Sequence, residues 1–131
     1  MSETLQGRKV AKGKASGEAI VSGDGISFYG GVEPETGTVV EKGHPLEGKS
    51  VKGKILVFPA GKGSTVGSYV LYDMKKRGTA PAAIINRENE TIIAVGAIIS
   101  DIPCVDRIDV GKIKNGAQVE VDADNGSVIV Q

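Results

Sequence analysis

Cysteine, histidine and tryptophan are nearly missing from this chain of 131 residues, which has one cysteine, one histidine and no tryptophan. The single cysteine, Cys104, excludes an internal disulfide and any thiolate cluster held by this chain alone. The single histidine, His44, excludes a histidine-rich metal site in the same way. The sequence therefore predicts no metal site within the chain, and it leaves few nucleophile–base pairs for catalysis.

Net charge and long apolar runs are also missing. Sixteen lysines and arginines balance sixteen aspartates and glutamates, which removes the main electrostatic argument for nucleic acid or an anionic membrane as partner. Residues 1–9 contain no apolar signal region, and no run approaches the roughly 18 apolar residues that span a bilayer. We therefore expect a cytoplasmic protein that binds neither nucleic acid nor membrane. Zero net charge also favours association with another chain.

Glycine is abundant, and it separates short apolar runs of strand length. The chain has 19 glycines, about twice the share of roughly 7% that is usual. Alternating or continuous apolar character predicts strands over residues 18–22, 26–28, 38–40, 54–58, 81–86, 92–94, 97–99, 118–122 and 127–130. The last two form a predicted hairpin around an Asn125-Gly126 turn. The chain is therefore expected to be mostly β.

One helix is predicted, over residues 66–77. Apolar residues recur at helical spacing and define the face that we expect to be buried; they run from Val66 through Tyr69 to Met74. Cationic side chains fill its last turn, and Gly78 supplies the stop. Because the helix lies between two predicted buried strands, it completes a β–α–β crossover.

These elements predict an α/β fold that is mostly β, with barrel-like β layers and one principal helix. The length predicts a single domain over residues 1–131. Residues 1–8 are expected to form a loose tail.

The segment 58–68 connects a buried strand to the start of the helix. It combines glycines, one cation and three hydroxyl groups: Gly61, Gly63, Lys62, Ser64, Thr65 and Ser68. Glycine lets a backbone approach a ligand closely, and the first N–H groups of a helix form an anion site with its dipole. The segment is not a Walker A loop, because Gly63 separates Lys62 from Ser64. It predicts an anion-binding loop.

A simpler interpretation of the same loop is structural. Ser64 or Thr65 can cap the helix while the glycines form a tight turn. A cap, however, needs one hydroxyl and no lysine, so the richer composition favours a ligand site.

Motifs along most of the chain resemble one known family. They are Pro34-Glu35-Thr36-Gly37, His44-Pro45-Leu46-Glu47-Gly48, Gly53-Lys54-Ile55-Leu56-Val57, Gly61-Lys62-Gly63-Ser64-Thr65, Ala80-Pro81 and Ile102-Pro103-Cys104-Val105-Asp106. From about Gly17 onward the chain resembles the swivel domain of the aconitase X family, and more narrowly its archaeal branch in which this domain is a separate small subunit.

The resemblance implies a swivelling β/β/α domain and a heterodimer with a large partner subunit, whose own cysteines hold a [4Fe-4S] cluster. It implies dehydration of (R)-5-phosphomevalonate to trans-anhydromevalonate 5-phosphate, in the archaeal mevalonate pathway of isoprenoid biosynthesis. It also implies that Ser64 is the proton acceptor.

The residues agree with that chemistry. Dehydration next to a carboxylate needs a Lewis acid for the leaving hydroxide and a base for the α-proton. A serine acts as a base only where a helix N-terminus, loop N–H groups and a nearby cation stabilise the alkoxide, and Ser64 lies where these meet. We expect Lys62, Gly63, Thr65 and Ser68 to bind the substrate, with the choice between carboxylate and phosphate open for Lys62.

Two other functions remain open at the level of sequence. One is a non-catalytic anion-binding or interaction module on the same fold, and the other is a hydroxyproline dehydratase subunit, since related aconitase X enzymes act on hydroxyproline.

His44 is interpreted as a surface-loop residue rather than a phosphohistidine carrier, because Pro45 follows it directly. Cys104 is expected to be a small buried hydrophobe.

Overall fold

Eight strands form one sheet in the computed structural model, which describes residues 2–131. In chain order the elements are β1 (Glu3–Gln6), β2 (Arg8–Ala11), β3 (Lys14–Val21), α1 (Phe28–Gly31), β4 (Val32–Glu33), β5 (Thr38–Val39), β6 (Ile55–Phe58), α2 (Gly67–Arg77), β7 (Ala83–Asn86), α3 (Thr91–Ile99), β8 (Cys104–Asp106), β9 (Gln118–Asp122) and β10 (Ser127–Val130). A 3₁₀ turn, Val110–Lys112, follows β8. Strands β4 and β5 pair separately.

The large sheet closes on itself. Its strand order is β1-β10-β9-β3-β6-β7-β8-β2, so the two end strands are consecutive in the chain and only Gly7 connects them. The Gly7 N–H donates to the Gly126 carbonyl at 2.8 Å, and a Cβ added at Gly7 would collide with the Asp106 carbonyl oxygen. The barrel-like layers expected from the sequence are thereby confirmed.

The N-terminal segment is part of this sheet. β1 runs antiparallel to β10, with Leu5 opposite Val128, and β2 runs antiparallel to β8. Leu5 is buried within the barrel. The structure therefore differs from the loose tail expected over residues 1–8, of which it describes residues 2–8, because main-chain pairing and one apolar side chain fix this segment.

Strand β6 separates two apolar cores. Ile55 and Val57 belong to the core inside the barrel, whereas Leu56 and Phe58 belong to the core beneath the helices. Successive side chains on a strand point to opposite faces, so a continuous apolar run is the pattern of a strand covered on both sides. Phe58 meets Phe28 edge to face, with ring centroids 6.3 Å apart.

The β–α–β unit is observed as predicted. β6 and β7 are parallel neighbours, and α2 lies between them in the chain. Gly78 adopts a left-handed conformation with φ 79° and ends the helix. The buried face differs from the expected one, because Leu71 and Met74 are buried while Tyr69 is 68% exposed.

The segment 91–99 is a helix, so the strands predicted over 92–94 and 97–99 are wrong. Both carboxylate oxygens of Glu90 cap the helix by accepting hydrogen bonds from the N–H groups of Ile92 (2.9 Å) and Ile93 (3.0 Å). Gly96 lets α2 approach, since a Cβ there would lie 3.2 Å from the Ser68 Cα. Packing and the cap override the strand preference of β-branched residues, which is only a weak bias.

The strand predicted over residues 26–28 is also wrong. Ile26 makes only an isolated bridge to Gly61, and Phe28 begins the irregular turn α1. The remaining strand predictions are confirmed, including the C-terminal hairpin. The fold is α/β and mostly β, with α2 as its main helix.

Candidate active site

Four neighbouring parallel strands, β3, β6, β7 and β8, end at the same edge of the sheet. The predicted anion-binding segment, residues 58–68, starts at the last residue of β6, and its loop, residues 59–66, leaves the strand at this edge. Residues 22–27 follow β3 on one side, and residues 87–90 follow β7 on the other. In both open sheets and barrels of parallel strands, ligands bind beyond the carboxyl ends of the strands, so this edge is the candidate active site.

The loop 59–66 is tied to the segment after β3 by main-chain hydrogen bonds. The Lys62 N–H donates to the Ile26 carbonyl at 3.0 Å, and the Ile26 N–H donates to the Ala60 carbonyl at 3.2 Å. These bonds fix the first half of the loop against a buried part of the fold. The second half, from Gly63 to Val66, is exposed.

Gly61 and Gly63 are required by close approach. A Cβ at Gly61 would lie against the carboxylate of Glu90 and 2.6 Å from Ile93 Cγ1. Gly63 has φ +86°, and a Cβ there would meet the hydroxyl of Ser27 and lie 3.1 Å from its Cβ. Glycine adopts the positive φ of Gly63 freely. At both positions the missing side chain leaves room for the neighbouring residues.

Ser64 is exposed at the entry to α2 and also shapes the turn. Its Oγ accepts a hydrogen bond from the Val66 N–H at 3.2 Å, and its carbonyl accepts one from the Gly67 N–H at 3.0 Å. The structural interpretation is therefore wrong about the cap, because the N-cap position of α2 is Val66 and no side chain caps the helix, but the Ser64 hydroxyl does form the turn before it. An oxygen that already accepts an N–H bond is also better able to carry negative charge.

Three consecutive backbone N–H groups, those of Gly63, Ser64 and Thr65, donate to no acceptor within residues 2–131. The next N–H groups are satisfied, since those of Gly67 and Ser68 bond to the carbonyls of Ser64 and Thr65. The free donors thus lie one turn before the position expected from the sequence. They precede the helix dipole and form an exposed anion-binding backbone.

The side chain of Lys62 is held by an acidic partner that the sequence did not indicate. Its Nζ lies 3.0 Å from Glu41 Oε2, in a half-exposed ion pair. Its stem passes close to Gly25, where an added Cβ would lie 3.6 Å from Lys62 Cδ. Glu41 comes from a loop about twenty residues earlier, so only the fold brings the two charges together.

The two other predicted binding residues differ in exposure. Thr65 is exposed beside Ser64. Ser68 is buried, and its hydroxyl donates to the Thr65 carbonyl at 2.9 Å. Because that proton is used, Ser68 has only acceptor lone pairs left, and its bond to Thr65 fixes the turn that carries Ser64.

His44 lies in a loop, as expected, but it is 6% exposed and not on the surface. Its Nδ1 accepts from the Leu46 N–H at 3.0 Å, which leaves Nε2 as the donor to the Gly25 carbonyl, also at 3.0 Å. Both ring nitrogens are engaged with the backbone. His44 therefore fixes Gly25, the residue against which the stem of Lys62 lies.

Cys104 is fully buried in β8, as expected. Burial, and secondly the charge of Asp106, raise the pKa of its thiol above the usual range. The thiol is therefore neutral and unreactive in the folded chain.

Asp106 anchors the loop after β7. It is 1% exposed, forms a two-pronged ion pair with Arg8 at 2.7 and 3.0 Å, and accepts from the Asn89 N–H at 3.1 Å. The hydrogen bond and the charge of Asp106 raise the pKa of Arg8. Asn89 in turn bonds to the buried Asn86, so this network holds Glu90 where Gly61 packs against it.

Sequence reasoning missed Ser27, Glu41 and Glu90. An acidic residue before an apolar helix is a weak cap signal that fits Glu90. No local pattern marks the other two, because their role depends on tertiary contacts.

Within residues 2–131 no group of three or more histidine, cysteine, aspartate or glutamate side chains is placed to hold a metal ion. Nor does any helix in that part of the chain have the length and apolar character needed to cross a membrane.

Comparisons with known proteins agree with this architecture. The profile of the aconitase X swivel domain matches residues 4–130. A protein of Thermococcus kodakarensis named phosphomevalonate dehydratase small subunit is 61% identical over 124 residues, which cover 95% of this chain and 93% of that protein. A protein of the same name from Methanocella arvoryzae is 58% identical over 127 residues, or 95% of this chain and 96% of that protein.

Two solved structures share the fold. The crystal structure of Thermococcus kodakaraensis aconitase X in its holo-form has a TM-score of 0.97 and 59% identity, and the match covers 98% of both chains. A solution NMR structure of a UPF0107 protein has a TM-score of 0.85 and 48% identity, covering 96% of this chain and 97% of that one.

The fold and the site define a small β-rich domain that presents a serine-bearing loop at the carboxyl edge of its parallel strands. The chain belongs to the aconitase X swivel domain family, and the resemblance given by its sequence motifs is confirmed.

Proposed function

We propose that this chain is the small subunit of a two-subunit iron–sulfur hydro-lyase that dehydrates (R)-5-phosphomevalonate to trans-anhydromevalonate 5-phosphate. The observation that carries the proposal is the near full-length identity of 61% to a phosphomevalonate dehydratase small subunit. The exposed Ser64 loop at the edge of the sheet supports it, because this loop offers a base and anion-binding groups for an elimination next to a carboxylate.

Ser64 is the proton acceptor in this proposal. The reaction removes a proton from the carbon next to the carboxylate and a hydroxide from the next carbon. Ser64 acts as its alkoxide, so its hydroxyl proton is first lost to solvent, and the Val66 N–H that donates to Oγ stabilises the alkoxide. The backbone N–H groups of Gly63 and Thr65, which donate to no acceptor within residues 2–131, belong to the same turn. When Oγ takes the α-proton, the negative charge passes to the substrate carboxylate, where bound cations and N–H donors that are already in place stabilise it.

The substrate is bound by the same loop. Lys62 and the backbone N–H of Gly63 receive an anionic group, and the exposed Thr65 hydroxyl adds a further donor. Ser68 contributes by holding the Thr65 carbonyl. A cation together with free N–H groups is the usual composition of a carboxylate or phosphate site.

The [4Fe-4S] cluster belongs to the partner subunit in this proposal. The described residues do not fit a cluster, because the only cysteine is buried and no group of metal ligands is assembled. The cluster would supply the Lewis acid for the leaving hydroxide. Every residue assigned to this chain acts on the proton or on substrate binding.

The large subunit docks around the loop in this proposal. Tyr29, Val66 and Tyr69 are 57%, 43% and 68% exposed, and they lie near the start of α2. Aromatic and apolar side chains of this kind are typical of interface cores. Docking there would exclude water from Ser64, as a stabilised alkoxide requires.

The decisive experiment compares two serine variants of the complex. Both subunits are produced together, and dehydration of phosphomevalonate is followed with wild type, Ser64→Ala and Ser16→Ala. Ser16 is an exposed serine on β3, outside the loop. We expect Ser64→Ala to lower kcat by roughly 10³-fold while the complex stays intact, and Ser16→Ala to behave as wild type.

Three results would contradict the proposal. Wild-type kcat in Ser64→Ala would show that another group takes the proton. A wild-type complex that dehydrates hydroxyproline but not phosphomevalonate would assign a different substrate, and dehydration by the isolated small chain would remove the need for a partner.

A further inference from the structure

Two of the four arginines have no acidic partner within the described residues, 2–131. Arg8 pairs with Asp106 at 2.7 Å and Arg77 pairs with Asp73 at 3.0 Å. Within residues 2–131, neither Arg87 nor Arg107 has a carboxylate oxygen within 4.0 Å, and neither guanidinium makes a hydrogen bond. Both residues are exposed. These two cations are therefore available to a ligand.

The sheet places the two arginines side by side at the edge that carries the candidate active site. In the parallel pair β7–β8, Ile85 lies opposite Val105, and each arginine is the first residue after the end of its strand. The Arg107 N–H donates to the Arg87 carbonyl at 3.0 Å, which extends the pairing beyond the strand ends.

The backbone of Arg87 is hydrogen-bonded to the start of the loop 59–66, which carries Ser64 and is called the serine loop below. The N–H groups of Arg87 and Glu88 both donate to the Pro59 carbonyl at 3.1 Å. Neighbouring strands are about 4.8 Å apart, so the ends of β7 and β8 lie roughly 5 and 10 Å from the end of β6. A ligand that reaches Ser64 and extends along the edge therefore reaches the two segments that carry the arginines.

Arg107 occupies an unusual backbone conformation. Its φ is +60°, and within residues 2–131 only Asp101 among the other non-glycine residues has a positive φ. The bonds from Arg107 N–H to Arg87 and from Ile108 N–H to Asn86 hold it there. Glycine suits this position better, and backbone strain of this kind concentrates at functional sites.

We propose that Arg87 and Arg107 form a phosphate-binding pair for the far end of the substrate. The proposal rests on the proposed function. In this proposal Lys62, whose N–H is bonded to Ile26 on the β3 side of the loop, binds the carboxylate next to the proton that Ser64 takes. The phosphate is at the opposite end of the substrate, and two guanidinium groups match its charge and its several acceptor oxygens.

The test measures the two-subunit enzyme with Arg87→Gln, Arg107→Gly and the double variant. Arg107→Gly removes the guanidinium and suits the positive φ, so it keeps the fold. Arg77→Gln, an exposed arginine at the far end of α2, is the matched control. We expect each site variant to raise KM for phosphomevalonate about 10- to 100-fold with kcat nearly unchanged. Inhibition by inorganic phosphate should weaken in parallel, and the control should match wild type.

Two outcomes overturn the proposal while the enzyme is active. The first is an unchanged KM together with unchanged inhibition by inorganic phosphate. The second is weaker association of the subunits with an unchanged KM, which would show that the arginines contact acidic side chains of the partner.

A wrong assignment of the proposed function can be distinguished from a wrong assignment of Arg87 and Arg107 as a phosphate-binding pair. If the wild-type complex does not dehydrate phosphomevalonate, calorimetric titration of the complex with inorganic phosphate decides the question. The proposal is supported if wild type and the Arg77→Gln control bind inorganic phosphate and the double variant does not. Equal binding in all variants, or no binding by wild type, overturns it.

Discussion

The ammonium group of Lys62 lies 3.0 Å from the carboxylate of Glu41, at the entrance to the serine loop. The pair is half exposed, so solvent screens it and it contributes little to stability. A second pair of the same composition, Lys54 with Glu18, lies at the other end of the neighbouring strands β6 and β3. The second pair lies away from the candidate site, so Glu18 is a control for the charge change at Glu41.

Glu41→Gln is expected to improve substrate binding. An anionic substrate must displace Glu41 before it can pair with Lys62, so removal of that competing charge should lower KM about two- to fivefold. Lys62→Gln should raise KM instead. Steady-state kinetics of the complex check both, and Glu18→Gln, which changes the net charge equally, should leave KM unchanged. A higher KM in Glu41→Gln would show that Glu41 positions Lys62 rather than competing with substrate.

Gly63→Ala is expected to reduce kcat more than it reduces stability. The left-handed φ costs about 1 kcal/mol for alanine, and the added Cβ would also press on Ser27 and shift the neighbouring Ser64. Gly43 has a similar φ of +80° with nothing within 4 Å, so Gly43→Ala carries the conformational cost alone. We expect a kcat about 10-fold lower or more for Gly63→Ala, with the two variants unfolding at similar temperatures.

A second variant tests whether contact with Ser27 causes the expected loss of kcat in Gly63→Ala. Ser27→Gly removes the side chain that the new Cβ would meet, so adding it to Gly63→Ala should restore part of kcat. If kcat in Gly63→Ala is the same as in Gly43→Ala, the close contact with Ser27 has no part in placing Ser64.

Cys104 is expected to make stability fall at alkaline pH. Its pKa is raised in the folded chain by burial, whereas an unfolded cysteine ionises near pH 8.5. Above that pH the unfolded chain binds fewer protons than the folded one, so the free energy of unfolding falls by up to about 1.4 kcal/mol per pH unit. Below pH 8.5 the contribution is fully present.

Denaturant unfolding of wild type and Cys104→Ala between pH 7 and 10 measures this slope. The difference between the two proteins should be constant up to about pH 8.5 and should then shrink as wild type loses stability. Iodoacetamide should label Cys104 only after unfolding. Parallel stability curves, or rapid labelling of the folded protein, would contradict the burial of this thiol.

The serine loop was predictable because everything that defines it is close in sequence. A strand, two glycines, a lysine and three hydroxyls follow one another from β6 to α2, and local conformation is enough to place Ser64 at the start of a helix. The hairpin around Asn125-Gly126 was predictable for the same reason. What the sequence could not supply was the position of residues distant in the chain, such as Ser27, Glu41 and the two free arginines.

The segment 91–99 also shows that local sequence patterns do not decide every element. Its isoleucines fit a strand or a helix equally well by pattern, because short apolar runs have no distinguishing period. The cap by Glu90 and the close approach of α2 at Gly96 select the helix. The sequence alone thus determined the class of fold and the loop that carries the chemistry. The tertiary structure decided α3, the closure of the barrel through Gly7 and the set of charges around Ser64, because each depends on contacts between segments that no local pattern encodes.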